Sequence, residues 1–394
     1  MRQNVLTFFG AKQPVAESEL TTDCYVVPLR CKTPEQQKFS VILRGIDPVE
    51  RALLQDAADG KWDKFDLFRA ALIVEGERNP NVIREQEKRL DRIVADVKEK
   101  LQSSGNLTPQ TLTRELFETM HRELLTKDYS LDCTEVGRVL QTGNFNCVSA
   151  TVLFNCLAEK AGLNVYALEM PGHALSRVKF NGVSMDLETT CPNWFELKNN
   201  AERLNATMEK VAPQTAAVNQ PLANSINTPP KPIENLEDLS KGLREISPVQ
   251  LVATIYYNIG VDKHNQNLYA EAAAADIKAL YLDPVNETAW GNILVAINNW
   301  SLDVIKVKGN ERYDVAATLL DYGLALDPQY ENFKTNQLHV FYYWIRGLAL
   351  KHRFEDARTV FTFADARLPE NPQIAKLMAS IAGEEQKERN KVAR

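Results

Sequence analysis

The sequence predicts an α+β domain followed by an all-α helical-repeat domain. Three observations carry this reading. Apolar residues recur at helical spacing from Asp47 to about Leu140. The period then changes, and short β-branched or apolar runs surround an Asn181-Gly182 pair. Beyond Pro248 the chain becomes helical and self-similar, with Pro284, Pro328 and Pro372 standing 44 residues apart.

Residues 1–45 form an N-terminal extension of mixed character, with short apolar runs such as Tyr25-Val26-Val27 and Val41-Ile42-Leu43. The α+β domain is expected over 46–198 and opens with a helical subdomain. Phe65, Leu67, Phe68, Ala71, Leu72 and Ile73 make one apolar face, and Ile83, Leu90, Ile93, Val94 and Val97 another, with charges between them. Thr108-Pro109 reads as an N-cap followed by a first-turn proline, leading into Leu112, Leu116, Phe117, Met120 and Leu124. Asn146 to Ala161 reads as an amphipathic helix closed by Gly162. Asn164 to Met170, His173 to Phe180 and Val183 to Leu187 follow as strands, and Asn181-Gly182 is a strong hairpin signal. One helix therefore feeds a short antiparallel sheet.

Residues 199–245 are rich in Asn, Ala, Gln and Pro with almost no aromatic residues, the composition of a partly disordered linker. The helical-repeat domain is expected over 246–390. Leu282-Asp283-Pro284 recurs as Leu326-Asp327-Pro328, and Asn371-Pro372 follows. Ala-rich helices precede these prolines at Tyr269 to Tyr281, Tyr313 to Leu326 and Phe354 to Leu368. Partner helices are expected at Leu251 to Val261, Ala289 to Ile305 and His339 to Leu350, and such hairpins bury their apolar faces by stacking on neighbours. A loop such as Trp300 to Asn310 accounts for the length of the unit.

Composition bounds the function. The chain has 394 residues, 46 Lys plus Arg against 52 Asp plus Glu, and a formal net charge of −6, with no dense basic run; nucleic-acid binding is set aside. A hydrophobic fraction of 44% with 25% charged residues excludes wholesale disorder. No apolar stretch reaches the roughly 18 residues of a membrane helix, so no membrane partner is expected and the default compartment is the cytoplasm. A reading in which residues 1–45 tether the protein to a membrane or envelope has only the run from Leu6 to Phe9 behind it. The six cysteines, Cys24, Cys31, Cys133, Cys147, Cys156 and Cys191, contain no CxxC pair, which argues against a zinc site or disulfide framework.

One cluster combines a nucleophile, a base and an orienting acid. Cys147 stands at the expected start of a helix, where free backbone N–H groups and the positive end of the macrodipole favour a thiolate. His173 follows Pro171-Gly172 at the start of a strand, where its imidazole could serve as general base and acid. If Asn181-Gly182 is a two-residue turn, residues whose numbers sum to 363 lie opposite one another. Glu188 is then the diagonal neighbour of His173, while Asp186 lies opposite Arg177. Glu188 is the preferred orienter, and a bulge would bring in Asp186 instead. An oxyanion hole needs the Cys147 N–H and a second donor, for which Gln141, Asn144 and Asn146 are candidates. Cys156 lies half a turn out of phase with Cys147 and reads as a small core residue. His121, His264, His339 and His352 read as surface or packing residues.

Asn-Cys-Val-Ser-Ala-Thr-Val-Leu-Phe at 146–154, Pro-Gly-His-Ala at 171–174 and Asp-Leu-Glu-Thr-Thr at 186–190 resemble the transglutaminase-like superfamily of papain-type cysteine folds over roughly residues 60–200. The C-terminal units resemble tetratricopeptide repeats, lengthened by about ten residues, and bacterial members of the superfamily are often fused to such repeats. The resemblance implies Cys147 as nucleophile, His173 as base and Glu188 at the acid position, and Gln141 at the spacing of a papain-type oxyanion glutamine. Two departures stand out: Glu188 replaces the family's Asp, and only 26 residues separate Cys147 from His173.

The function expected is cysteine-dependent acyl transfer or amide hydrolysis on a protein or peptide amide, as protease, deamidase or cross-linking enzyme. The helical repeats would hold a protein or peptide partner, a minority of their aromatic residues lining the groove. No metal or organic cofactor is implied. The alternative is a non-catalytic scaffold on a degenerate transglutaminase-like fold, and the surroundings of Cys147 discriminate the two.

Overall fold

The computed structural model describes residues 46–170, 172–197, 243–306 and 311–392. The extension expected over 1–45, nearly all of the linker expected over 199–245, Pro171, and residues 307–310 of the expected Trp300–Asn310 loop lie outside the described residues.

Five helices precede the site: α1 (Pro48–Asp56), α2 (Leu67–Val74), α3 (Pro80–Ser103), α4 (Pro109–Glu123) and α5 (Val136–Thr142). Their starts follow from local chemistry. Asp47, Asp66, Asn79 and Thr108 each accept a backbone N–H of the first turn, satisfying donors that have no partner inside the helix. Helix α4 begins at Pro109, where the Thr108-Pro109 signal predicts it. Helix α5 has no capping bond from its own N-cap residue, Glu135. The carboxylate of Glu75, at the end of α2, supplies it by accepting the N–H groups of Val136 and Gly137.

Helix α6 (Cys147–Lys160) is the axis of the domain. The sequence pattern predicts an amphipathic helix, but the structure buries every residue from Cys147 to Ala158. Its polar positions are spent inside the fold. Asn146 and Ser149 form a reciprocal capping box, and the Ser149 hydroxyl also donates to the Cys133 carbonyl at 2.7 Å. Thr151 bonds the Thr189 hydroxyl at 2.9 Å, and Asn155 accepts the Ser176 hydroxyl at 2.7 Å. Because each polar atom finds a partner, the face can be buried without the cost of an orphaned group.

The sheet beside α6 is antiparallel, in the order β3-β2-β1-β4. Strands β1 (Asn164–Met170), β2 (His173–Phe180) and β3 (Val183–Leu187) match the sequence expectation. Asn181 and Gly182 both have positive φ, 49° and 77°, as a two-residue type I′ turn requires, and the turn fixes Arg177 opposite Asp186. Strand β4 (Arg244–Ile246) pairs with β1 and was not anticipated, since three residues are too few to show a period.

Seven helices follow: α8 (Pro248–Asn265), α9 (Tyr269–Leu282), α10 (Glu287–Asp303), α11 (Tyr313–Leu326), α12 (Glu331–Leu350), α13 (Phe354–Arg367) and α14 (Pro372–Val392); a single turn, α7 (Trp194–Leu197), precedes β4. Each of the seven packs on the next, and α8, α10, α12 and α14 also pack in series, so the region is a stack of helical hairpins. Helices α9 and α11 end at the two Asp-Pro steps, because proline cannot continue the ladder.

The two regions share one apolar core running from Ile46 to Ile381. Two polar joints tie them. The guanidinium of Arg244 bridges Glu169 on β1 and the buried Asp283 after α9, and Asn286 and Gln250 bond the same carboxylates at 3.1 and 3.0 Å. Glu50 on α1 accepts the Tyr256 hydroxyl at 2.7 Å and the Lys278 ammonium at 2.8 Å. No helix among the described residues is long and apolar enough to cross a membrane. Arg244→Ala leaves the buried Asp283 carboxylate to the Gln250 amide without its cation, and is expected to cost about 2 kcal/mol, the scale of a charged hydrogen bond. An unchanged urea midpoint at constant slope would show that the Arg244 bridge is not a stabilising joint.

Candidate active site

Cys147 occupies the first position of α6, so its N–H lies among those with no partner inside the helix. The chain is delivered there by Gly143, whose positive φ of 80° ends α5, and by a short parallel pairing of Tyr129 with Phe145. Lys127 N–H donates to the Gly143 carbonyl at 3.0 Å and Ser130 N–H to that of Phe145 at 2.8 Å. The residues on either side of Tyr129 are therefore bonded directly to the strand that enters the helix.

His173 opens β2, and its Nε2 lies 2.5 Å from Glu188 Oε2. Glu188 Oε1 accepts both the backbone N–H of Thr190 at 3.0 Å and its hydroxyl at 2.6 Å. The other ring nitrogen, Nδ1, is buried with no aligned hydrogen-bond partner among the described residues, and the Cys147 thiol lies within reach of the imidazole. The three side chains thus stand in the order thiol, imidazole, carboxylate. All are closed off from solvent: Cys147 is 1% exposed, Glu188 3% and His173 4%.

Burial alone would push the His173 imidazole down. The Glu188 charge, the thiol beside it and the Glu188 hydrogen bond outweigh burial and hold it well above its ordinary value. Burial likewise works to raise Glu188, yet the His173 charge and the bonds from His173 and Thr190 hold it below the usual carboxylate range. The pair is an imidazolium and a carboxylate in a site that would tolerate neither alone.

The other candidates lie elsewhere. Asp186 is taken by Arg177, which grips it through Nε at 2.6 Å and Nη2 at 2.8 Å. Asn146 donates its amide to Thr134 Oγ1 at 2.7 Å and to the Leu131 carbonyl at 3.1 Å, so its donors are spent on holding the loop before α5. Gln141 is exposed on α5, and Asn144 is half-buried in the turn after it. Cys156 is buried far along α6, and burial pushes its thiol well up.

Three residues that the sequence does not assign to the site stand near the thiol and its partners. Tyr129 has its hydroxyl buried against Cys147, and burial first, then Cys147, push the phenol up. Tyr257, on α8, is buried within the electrostatic reach of Glu169 and Cys147. His121 reads from sequence as a packing or surface residue, yet its ring lies beside Thr189 and Glu188 and against Phe117 and Phe145, and burial pushes it down to about 4. No local pattern marks the tyrosines; only the bridge to Phe145 and the packing of α8 bring them in.

Residues 84–224 match the family model described as Transglutaminase-like superfamily. That region contains Cys147, His173 and Glu188. No curated protein and no solved structure matches the chain.

The opposed shifts fix a pH dependence. The His173 contribution to stability is fully present below its ordinary 6.5 and is lost as pH rises through its higher folded value. The Glu188 contribution is present above its ordinary 4.5 and is lost as pH falls through its lower folded value. The pair therefore stabilises most between 4.5 and 6.5. In Glu188→Gln the counter-charge is gone while burial stays, so an NMR titration of His173 should move from above 6.5 to below it. A titration that does not move would remove Glu188 as the charge that holds the imidazole.

Proposed function

We propose that the chain carries a cysteine-dependent acyl-transfer or amide-hydrolysing site built on a transglutaminase-like domain. The observation that carries this is the placement of the buried His173 between Glu188 and the Cys147 thiol at the first turn of α6. Cys147 Sγ, its proton already held by the His173 imidazolium, adds to an amide carbonyl, and His173 gives that proton to the departing amine. Glu188 holds the ring in orientation and stabilises its charge. The thioester is then released to water, giving proteolysis or deamidation, or to an amine, giving a cross-link.

The hairpin stack is proposed as a tetratricopeptide-like platform for a protein or peptide partner. Its support is the 44-residue recurrence and the serial packing of α8, α10, α12 and α14. The helix α8 that opens the stack also carries Tyr257 to the site, so partner binding and chemistry would share one wall.

One observation favours a second reading, a non-catalytic binding module: the thiol is almost fully covered. The adjacent imidazole–carboxylate pair argues for chemistry, since a structural thiol needs neither. Iodoacetamide labelling followed by mass spectrometry separates the two. Labelling of Cys147 should persist well below pH 8 and be lost in His173→Ala, and Cys147→Ala should abolish turnover while keeping the fold. Cys147 labelling as slow as that of Cys156, and indifferent to His173, would leave only the binding module.

A further inference from the structure

A thioester site needs donors for the negative oxygen of its tetrahedral intermediate, and only the Cys147 N–H has so far been identified. The amide of Asn146 is committed to Thr134 and Leu131, and Gln141 is exposed on α5. The Tyr129 hydroxyl has neither disqualification. It is buried, makes no well-aligned hydrogen bond among the described residues, and faces both the thiol and the backbone N–H of Cys147. Its ring stands edge-on to Phe145, with centroids 6.1 Å apart and planes at 85°. Its neighbours Asp128 and Ser130 are bonded to Phe145, so one short ladder positions the phenol and the nucleophile together.

A buried hydroxyl without a partner costs about 1–3 kcal/mol, a cost that an arriving acceptor would relieve. Here the group that would arrive is a carbonyl oxygen. We propose that the Tyr129 hydroxyl and the Cys147 backbone N–H form the oxyanion hole of this site. The proposal rests on the thiol-chemistry reading above. As Cys147 Sγ bonds to the carbonyl carbon, the C=O π pair moves onto oxygen, which accepts from both donors, while His173 keeps the proton taken from the thiol for the leaving group. When the C=O re-forms, the bond to the leaving group breaks and that group departs with its electron pair.

The test compares two reagents on the full chain. Acylation of Cys147 by p-nitrophenyl acetate passes through an oxyanion, whereas alkylation by iodoacetamide displaces iodide and does not. In Tyr129→Phe the acylation burst should fall about 100-fold, the scale of one lost oxyanion donor, while the alkylation rate stays within about 3-fold of wild type, a small fraction of that loss. Because the hydroxyl has no hydrogen-bond partner among the described residues, the urea midpoint of Tyr129→Phe should be equal to or above wild type, and a clear drop would mark the hydroxyl as structural. Acylation and alkylation that both stay unchanged, both fall or both rise would overturn the proposal, the last marking Tyr129 as a cover over the thiol. A wild-type Cys147 that reacts with neither reagent would bring down the thiol-chemistry reading and this proposal with it. Acylation that is normal in Tyr129→Phe but lost in His173→Ala would sink the oxyanion assignment alone.

Discussion

The polar seam along the buried helix α6 is the constraint on which the rest of the site depends. A helix buried from Cys147 to Ala158 can carry polar residues only where each meets a partner, and every partner here belongs to a segment that the site needs in place. Ser149 fixes the loop at Cys133, Asn155 fixes β2 through Ser176, and Thr151 fixes the end of β3 through Thr189, next to Glu188. A slip of β2 or β3 by one residue would turn these hydroxyls onto the wrong face and strand them in an apolar core. The seam thus sets the register of the strands that carry His173 and Glu188 relative to Cys147, which heads the same helix.

With that register fixed, the electrostatics follow from burial. In water, a His and a Glu beside one another would gain little from the contact. Enclosed together they are interdependent, because each charge is what makes the other tolerable. Thr190 saturates Glu188 from the side away from the ring, so Glu188 has an acceptor left only for His173, and the ring orientation is decided before any substrate arrives. The same enclosure leaves His121, which has no carboxylate bonded to it, low in pKa and neutral near pH 7. Two imidazoles near one carboxylate are therefore pushed in opposite directions, His173 up chiefly by the Glu188 charge beside it and His121 down by burial.

Much of this arrangement was legible in the sequence because it is encoded locally. The Thr108-Pro109 start, the Asn181-Gly182 turn and the three strands are short-range signals, and the two-residue turn alone implies that Asp186 faces Arg177 and that Glu188 lies diagonal to His173. The period of the C-terminal prolines likewise reads directly as stacked hairpins. What was not legible is long-range. The outer face of α6 looks solvent-facing because Ser149, Thr151 and Asn155 are polar, and only their tertiary partners reveal it as core. Strand β4 is three residues long, and Tyr129 sits in a loop whose pairing to Phe145 leaves no periodic trace.

The joint between the two regions bears on how the site is reached. Arg244 reads at once the sheet, through Glu169, and the first helical hairpin, through Asp283, and it lies on the strand that leads straight into α8. Tyr257 stands on that helix and extends the site from the helical side, as Tyr129 does from the N-terminal side. Cys147 is 1% exposed, so access to it requires part of this enclosure to move. The Arg244 and Glu50 joints resist the motion of α8, because breaking either leaves a buried carboxylate without its cation. The loop carrying Tyr129 is held by backbone bonds to Gly143 and Phe145 and by the Asn146 and Ser149 side chains at Leu131, Cys133 and Thr134. The loop on the Tyr129 side and the start of α6 are thus held by one set of bonds, so whatever moves the phenol also moves the cap that positions Cys147.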